Sequence, residues 1–201
     1  MLKRCFDILA AITGLAVLFP LLLVISVLVK TDSRGSVFYR GERTGRYGSR
    51  FRIFKFRSMV IDAEMLGGHS TAQNDPRVTR IGIFLRRYKL DELPQLINVL
   101  RGEMSIVGPR PEVPAYTQLY SGEELTILTV RPGITDYSSI KYMQLDRVLG
   151  EQEADIVYER TVRPIKNALR VQYVKDQSFG NDLVIIWHTL IKLVGVSLGV
   201  L

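Results

Sequence analysis

The clearest pattern in the chain is an uninterrupted apolar run near its start. Residues 8–29, ILAAITGLAVLFPLLLVISVLV, contain no charged side chain. As a straight helix at about 1.5 Å per residue the run would be about 33 Å long, enough to cross the hydrocarbon core of a bilayer. A cleaved signal peptide fits poorly, because the run is long and no small-residue cleavage site follows it. The pattern predicts a membrane anchor over residues 1–30 and a separate domain over residues 31–201.

The anchor can take either of two topologies. Lys3 and Arg4 precede the run and Lys30 ends it, so the usual excess of cations on the cytoplasmic side gives no orientation. Pro20 lies near the middle, where it removes a helix hydrogen bond and bends the chain. One interpretation is a spanning helix with a proline kink. The other is a helix–break–helix that enters one leaflet and returns, with both basic ends on the same face.

A weaker membrane signal lies at the C-terminus. Residues 183–201 are apolar except for a narrow stripe that includes His188 and Lys192, four positions apart on one helix face. Just before it, Arg163, Lys166 and Arg170 recur at helical spacing. The pattern predicts two amphipathic helices at the membrane interface, over about residues 163–201, with ordinary core helices as the alternative.

The middle of the chain predicts a helix-rich α+β fold with a small β-hairpin. Residues 37–39 and 51–56 are typical of strands around a turn-rich segment, and 105–107 of a third short strand. Apolar spacing predicts helices over 78–88 and from 92 to about 101, the second ended by Gly102. The strands are too few and too short for a sheet built from βαβ units.

The charge of the chain is concentrated in one segment. Lys and Arg number 27 against 20 Asp and Glu, a net charge of +7. Residues 30–57 hold nine of the cations and two acids, which accounts for the whole excess. A basic block after an apolar anchor suits anionic lipid head groups, and it leaves a membrane-tethered nucleic-acid or lipid binder as one alternative. A single cysteine excludes an internal disulfide, and with only two histidines a zinc site is not expected.

A pair of carboxylates, Asp91 and Glu92, directly precedes a predicted helix. Asp at such a position commonly caps the helix. The same position also favours an ionised carboxylate, since the helix dipole stabilises negative charge. An ionised carboxylate there can bind Mg²⁺, act as a base or attack phosphorus. Both interpretations stay open on local grounds.

Three arginines lie near this pair in the sequence and suit phosphate. Arginine makes two parallel hydrogen bonds to phosphate oxygens, and flanking prolines restrict the backbone of one of the three. With the carboxylates they describe a place for a diphosphate and a metal ion. The residues are Arg86, Arg87 and Arg110, the last between Pro109 and Pro111. Phosphate-binding glycine loops, an Asp-x-Asp motif and a serine nucleophile elbow are absent from the sequence.

Several motifs, taken in order, resemble the bacterial sugar transferase family, the monotopic phosphoglycosyl transferases. The resemblance covers almost the whole chain, and its central block, residues 90–111, is long and specific. The motifs are Lys3-Arg4-x-Phe6-Asp7, Phe54-Lys55-Phe56-Arg57-Ser58-Met59, Leu90-Asp91-Glu92-Leu93-Pro94-Gln95, Met104-Ser105-x-Val107-Gly108-Pro109-Arg110-Pro111 and Arg131-Pro132-Gly133-Ile134-Thr135.

The resemblance implies a reaction at the cytoplasmic face of the bacterial inner membrane. A phosphosugar moves from a UDP-sugar to a polyprenol phosphate, UMP leaves, and the product starts a surface glycan or glycoconjugate pathway. Asp91 is the implied nucleophile, Glu92 supports metal or proton handling with Mg²⁺ as cofactor, and Arg110 holds phosphate. The implied partners are the UDP-sugar, the polyprenol phosphate and the phospholipid membrane, with no nucleic acid; a homodimer is left open.

The resemblance also favours the re-entrant helix–break–helix at Pro20, with Lys3 and Arg4 at the lipid head groups. Two positions depart from the family pattern. Phe19 stands where the break often has serine, and Asp136-Tyr137 follow Gly-Ile-Thr where many members have Gly-Trp. A membrane-bound phosphatase using the same aspartyl chemistry is a further alternative, which a requirement for a lipid phosphate acceptor would exclude.

Overall fold

A computed structural model of the chain describes residues 1–63, 65–67, 71–72, 74–150 and 154–197. Helices dominate the described part, as predicted. In chain order the α-helices are α1 (Leu2–Asp32), α2 (Arg80–Arg87), α3 (Gln95–Leu100), α4 (Pro114–Thr117), α5 (Tyr137–Lys141), α6 (Leu145–Leu149), α7 (Ala154–Val157), α8 (Arg163–Lys175) and α9 (Phe179–Ser197). Residues 198–201 of the predicted interfacial region lie outside the described residues.

Short strands form three separate two-stranded ladders, so the α+β prediction is confirmed. The strands are β1 (Phe38–Tyr39), β2 (Glu42–Thr44), β3 (Arg50–Arg52), β4 (Lys55–Phe56), β5 (Ser105–Val107) and β6 (Gly133–Thr135). The predicted hairpin is present as two antiparallel ladders, β1 with β4 and β2 with β3. The prediction placed residues 42–44 in the turn, whereas the turn is confined to the residues around Tyr47, whose φ is +56°.

The third ladder pairs β5 with β6 in parallel, a pairing that the sequence did not predict. Its register places Ser105 opposite Gly133 and Val107 opposite Thr135. A Cβ on Gly133 would lie 2.0 Å from the backbone nitrogen of Gly108, so only glycine allows the two chains to approach this closely. The ladder therefore holds the segment after β5 against the segment after β6.

Helix α1 packs on the rest of the protein along one face over its whole length. Ala11 belongs to a core cluster with Ile53 and Val99. Further along, Ile25 and Val29 share a second cluster with Phe56 and Leu85. The opposite face of α1 is apolar and exposed. Pro20 lies inside one continuous helix, so the predicted division into two helices is not observed, and the re-entrant topology stays a prediction.

Both ends of α1 are fastened to the folded domain. At the start, Lys3 donates to the Val107 carbonyl over 2.9 Å and pairs with Asp182, and Arg4 donates to the Val99 carbonyl over 2.8 Å. Buried Asp7 accepts from the Ile106 amide over 2.9 Å. These contacts account for Lys3 and Arg4 within the protein, and their predicted contact with lipid head groups stays a prediction.

At the far end of α1 the partner is Arg57. Its guanidinium is buried and donates to the carbonyls of Val29, Ser33 and Arg34. A cation at the C-terminus of a helix satisfies the last carbonyls and offsets the negative end of the helix dipole. One cation of the basic block therefore stabilises the end of α1 and does not contact lipid head groups.

The two C-terminal helices differ in surroundings. In α8, Lys166 and Arg170 are buried against Glu112, so the interfacial interpretation is wrong for these two cations, which belong to the core. Helix α9 buries Asp182 and Ile185 but exposes an apolar row along its other side. The exposed row comprises Leu183, Val184, Trp187, Leu190, Ile191 and Val194. Among the described residues, Leu2–Asp32 and Phe179–Val196 are long and apolar enough to cross a membrane.

Candidate active site

A tight turn between α2 and α3 carries the two carboxylates. Lys89 adopts a left-handed conformation with φ of +56°, and a single 3₁₀ turn over Leu90–Glu92 follows it. Helix α3 begins only at Gln95, after Pro94, three residues later than predicted. No side chain caps α3, so capping is excluded as the role of Asp91. The turn instead directs both carboxylates into a cavity.

Glu92 is fixed by two cations. Arg110 donates from both terminal nitrogens, Nη1 to Oε2 over 2.8 Å and Nη2 to Oε1, and Lys55 Nζ donates to Oε1 over 2.9 Å. Burial alone would raise the pKa of Glu92, but the charges of Arg110 and Lys55 outweigh it and hold that pKa well below its ordinary value. Glu92 is therefore an ionised, immobile carboxylate.

Asp91 has the opposite environment. It is buried, and its Oδ1 lacks a hydrogen-bond partner in the described part of the structure. Burial and the negative charge of Glu92 raise its pKa, while Lys55, Lys89 and Arg86 act in the other direction. An unpartnered buried carboxylate oxygen is costly unless a ligand, ion or substrate engages it. Asp91 is therefore the member of the pair with an oxygen still available to a ligand.

Arg110 is held by the turn between its two prolines. The Gly108 amide donates to the Thr135 carbonyl and the Gly133 amide donates to the Pro109 carbonyl, each over 3.0 Å. The Arg110 amide lies 3.3 Å from Asp136 Oδ2. Pro109 and Pro111 are buried, and they stiffen the backbone that carries the guanidinium. The phosphate contacts predicted for these three residues remain a prediction.

Arg86 and Arg87 end α2 beside the same cavity. Thr79 caps the start of that helix, accepting from the Gly82 amide over 3.0 Å, and so sets where its last turn falls. Arg86 is half-buried and close enough to lower the pKa of Asp91. Arg87 is exposed, its guanidinium 5.6 Å from the centre of the Tyr88 ring. The structure thus brings all the predicted phosphate-binding arginines to one cavity.

That cavity has a volume of about 1930 Å³, and its walls differ in chemistry. Near the carboxylates the wall is basic. Toward α9 it is mostly apolar, with Ile186, Leu190 and Val196. Between α5 and α8 it is polar and aromatic, with Ser139, Tyr158 and Lys166 among its residues.

Sequence reasoning missed a second buried ionic cluster around Glu112. Its Oε1 lies 2.5 Å from Arg170 Nη2 and 2.6 Å from the Tyr158 hydroxyl. Burial raises the pKa of Glu112, but Arg170 and Lys166 dominate and lower it to about 2. Burial lowers the pKa of Lys166 to about 8. The partners come from separate helices and a loop, and no local spacing in the sequence indicates such a cluster.

Two further residues that position the site were not predicted. Lys55 was noted as part of the basic block and of a family motif, without a role, although it faces Glu92 from β4. Asp136 was noted only as a departure from the family pattern, yet it is fully buried and caps α5, accepting from the Ser139 amide over 2.7 Å. Its position before Tyr-Ser-Ser is a recognisable helix-start signal.

The chain is similar in sequence to several known proteins over nearly its whole length. The family model described as "Bacterial sugar transferase" matches residues 1–195. The "Exopolysaccharide production protein ExoY" of Rhizobium meliloti (strain 1021) is 39% identical over 94% of this chain and 84% of that protein. The "UDP-glucose:undecaprenyl-phosphate glucose-1-phosphate transferase" of Escherichia coli (strain K12) is 40% identical over 96% of this chain and 40% of that protein.

A third relative is similar over nearly the same share of this chain. The "Undecaprenyl-phosphate glucose phosphotransferase" of Komagataeibacter xylinus is 40% identical over 94% of this chain and 35% of that protein. The alignments to these relatives include both carboxylate-bearing and membrane-anchor regions, because they cover nearly the whole chain. The chain belongs to the bacterial sugar transferase family.

Proposed function

We propose that this enzyme, a phosphoglycosyl transferase by its family, transfers a sugar 1-phosphate from a UDP-sugar to undecaprenyl phosphate and releases UMP. The relatives' names support the two substrates, since those of E. coli and K. xylinus name undecaprenyl phosphate and the first also names UDP-glucose. The observation that carries the proposal is the buried Asp91, which lines the cavity beside the Glu92–Arg110–Lys55 network and whose Oδ1 lacks a hydrogen-bond partner among the described residues.

In the first step an oxygen of Asp91 attacks the sugar-linked phosphorus of the donor. The bond from that phosphorus to the bridging oxygen breaks, and UMP leaves with the electron pair. The product is a phosphosugar joined to Asp91 as an acyl phosphate. Lys55, Lys89 and Arg86 favour the ionised carboxylate that this attack requires. In the second step a phosphate oxygen of undecaprenyl phosphate attacks the same phosphorus and frees Asp91.

Arg110 is the residue we propose for the donor's phosphates. Its guanidinium has five N–H donors, and the two bonds to Glu92 leave others for a ligand. Glu92 keeps that guanidinium in one orientation, so a phosphate meets a preorganised donor. Glu92 therefore acts through Arg110 and Lys55, by holding both cations in place.

The donor set fits Mg²⁺ held by few protein ligands. Mg²⁺ is usually bound through one or two carboxylates together with substrate phosphates and water, and the described residues contain no cluster of three or more acidic, histidine or cysteine side chains. The unpartnered Oδ1 of Asp91 is the oxygen best placed to bind it, with Glu92 adjacent but already engaged by cations. Bound Mg²⁺ would offset the charge that develops on the phosphoryl oxygens.

The apolar surfaces indicate where the lipid acceptor approaches. The outer faces of α1 and α9 expose rows of large apolar side chains, which suit acyl chains better than water. The α9 wall of the cavity is apolar too, so a polyprenyl chain can leave along it while its phosphate points toward Asp91. We therefore place the enzyme at the bacterial inner membrane, on the cytoplasmic face where UDP-sugars occur.

The contacts of α1 support a re-entrant or in-plane anchor over a spanning helix. A straight helix of 31 residues is about 46 Å long, so a spanning α1 would place its ends on opposite sides of the bilayer. Both ends instead contact one folded domain, Lys3 at Asp182 and Ser33 at Arg57. A domain on the cytoplasmic face therefore holds both ends of α1 on that face.

The function is tested by UMP release in detergent or nanodiscs, with a panel of UDP-sugars, undecaprenyl phosphate and Mg²⁺. We expect release from at least one UDP-sugar, dependent on the lipid acceptor for repeated turnover. Release of free sugar phosphate without acceptor would identify a hydrolase and contradict the proposal. Replacing undecaprenyl phosphate with undecaprenol is the matched control, since it lacks the attacking phosphate.

A further inference from the structure

The polar wall of the cavity between α5 and α8 lies beyond the residues assigned to the reaction. We call Lys166 and Ser139, with Tyr158 beside them, the α8 wall; all three line the same cavity as Asp91 and Arg110. Tyr158 opens a π-helical segment, Tyr158–Val162, directly before α8. Such segments recur at functional sites because they redirect side chains within a helix.

Lys166 is a buried cation whose hydrogen bond to Tyr158 and ion pair with Glu112 are both long. Its side chain is 7% exposed, and its ammonium lies 3.5 Å from the Tyr158 hydroxyl and 3.9 Å from Glu112. A well-formed hydrogen bond from an ammonium to a carboxylate is about 2.7–2.9 Å long. Glu112 already accepts from Arg170 over 2.5 Å and from Tyr158 over 2.6 Å. One carboxylate thus faces two cations, and Lys166 is the surplus.

Ser139 supplies an independent observation on the same wall. Its Oγ is buried and lacks a hydrogen-bond partner in the described part of the chain. The neighbouring Ser138 hydroxyl, in contrast, donates to Asp136 over 2.8 Å. Buried polar groups without partners are rare in folded proteins, so Ser139 Oγ indicates a ligand in this cavity, which Lys166 also lines.

The chemistry of this pair favours an anionic oxygen. An ammonium only donates hydrogen bonds, and a serine hydroxyl can donate one, so both suit a phosphate oxygen. Glu112 pairs more closely with Arg170, over 2.5 Å, than with Lys166, over 3.9 Å, so the ammonium of Lys166 is the cation on this wall with more capacity to bind an anion. Both substrates of the proposed reaction carry phosphate.

We propose that Lys166 and Ser139 bind a phosphate oxygen of one of the two substrates, at a subsite separate from Asp91 and Arg110. This inference rests on the proposed function. The phosphate belongs either to the UDP of the donor or to undecaprenyl phosphate. A second phosphate contact away from Asp91 would fix one substrate while the reacting phosphorus remains free to change bonds.

The test compares Lys166→Met, Lys166→Arg and Ser139→Ala, with Lys175→Met as control. Lys175 lies on the same helix but pairs with Glu123 at the surface. UMP-release kinetics give the KM of each substrate, and UDP, which carries both donor phosphates and no sugar, serves as the inhibitor. We expect Lys166→Met to weaken one phosphate ligand about 10-fold or more, with kcat changed far less. Ser139→Ala should weaken the same ligand by a smaller factor, and Lys166→Arg should retain most of the affinity.

Each outcome has one interpretation. Weaker inhibition by UDP assigns the subsite to the donor, and a raised KM for undecaprenyl phosphate alone assigns it to the acceptor. Unchanged affinities for both, or a raised KM for the UDP-sugar with unchanged UDP inhibition, overturn the proposal. If Lys166→Met does not fold, Ser139→Ala decides alone by the same criteria. A wild type that releases no UMP refutes the proposed function and this inference together, whereas an active wild type with unaltered variants refutes only the inference.

Discussion

Asp91 and Glu92 are adjacent in sequence but lie in opposite electrostatic environments. Two cations hold the pKa of Glu92 well below its ordinary value, whereas burial and Glu92 itself raise the pKa of Asp91. Environments that push the pKa values of two neighbouring groups apart commonly mark a division of labour in an active site. Glu92 is bonded to two cations, whereas Oδ1 of Asp91 has no hydrogen-bond partner among the described residues.

Replacing Arg110 with lysine tests the importance of its planar fork. Arg110→Lys keeps the positive charge but loses the paired bonds to Glu92. The side chain that would donate hydrogen bonds to the phosphate is then no longer held in one orientation. We expect kcat/KM for the UDP-sugar to fall about 10- to 100-fold, with little change in thermal stability. Arg50→Lys, at the surface pair with Glu42, should leave kcat/KM unchanged. If Arg110→Lys retains wild-type kinetics, the guanidinium of Arg110 does not bind the phosphates of the UDP-sugar.

The Glu112 cluster makes a prediction about stability and pH. Glu112→Gln leaves Arg170 buried without its carboxylate, so we expect a loss of about 3–5 kcal/mol in the free energy of unfolding at pH 7. The folded pKa of Glu112 is about 2, against an ordinary 4.5. The contribution of ionised Glu112 to the free energy of unfolding is therefore complete above pH 4.5 and is lost as the pH falls toward 2.

Urea unfolding in detergent at several pH values measures this effect. The difference between wild type and Glu112→Gln should be largest near pH 7 and should shrink below about pH 4.5. Glu123→Gln, at an exposed pair with Lys175, should cost no more than about 1 kcal/mol. A difference that grows on acidification would contradict the assigned direction of the pKa.

At this scale, the sequence indicated the candidate site residues better than the residues that contact them. Asp91, Glu92 and Arg110 could be named because carboxylates before a helix and an arginine between prolines have local signatures. Lys55 and Glu112 could not be assigned their partners, because those partners are 37 and 58 residues away. Lys166 and Arg170 were placed at the membrane because helical spacing alone does not distinguish a buried ionic face from an exposed one.

Among the elements, the parallel pairing of β5 with β6 most directly positions the site. This pairing fastens the turn that carries Arg110 to the segment that carries Asp136. Asp136 accepts a hydrogen bond from the Arg110 amide. The sequence predicted β5 but not its pairing with β6, since parallel strands distant in sequence have no local signal. Helix boundaries near residues 80 and 100 were predicted more closely, because their caps and apolar spacing are local.

Gly133→Ala tests this ladder. The added Cβ would lie 2.0 Å from Gly108 N and 2.5 Å from Gly108 O, both backbone atoms that cannot move without separating the strands. We expect a large fall in kcat/KM together with a lower melting temperature, because Arg110 moves with its turn. Gly180→Ala is the control, since nothing lies within 4 Å of its added Cβ. Unchanged activity in Gly133→Ala would show that the pairing does not position Arg110.

The whole molecule combines two apolar surfaces with a cationic cavity. The exposed faces of α1 and α9 carry rows of large apolar side chains. The basic block is divided between the helix end, the cavity and the surface. Arg57 binds the carbonyls at the end of α1, Lys55 faces Glu92, and Arg50 pairs with Glu42 at the surface. The net charge that the sequence suggested for lipid therefore serves the fold and the site as well.

Topology is testable with the single native cysteine. Cys5 is exposed near the start of α1, and Ser36→Cys in a Cys5→Ser background places a second probe just after its end. We expect a membrane-impermeant maleimide to label both positions in inside-out vesicles and neither in right-side-out vesicles. Labelling of Cys5 from the outer face would show that α1 spans the membrane.

The central claim is that Asp91 carries the phosphosugar, and intact-protein mass spectrometry tests it most directly. Wild-type enzyme incubated with its UDP-sugar and Mg²⁺, without lipid acceptor, should gain the mass of one phosphosugar, on the peptide that contains Asp91. Undecaprenyl phosphate should discharge the adduct. Asp91→Asn should form none, whereas Asp176→Asn, at the end of α8, should behave as wild type. An adduct that persists on Asp91→Asn, or that maps to another residue, would contradict the account.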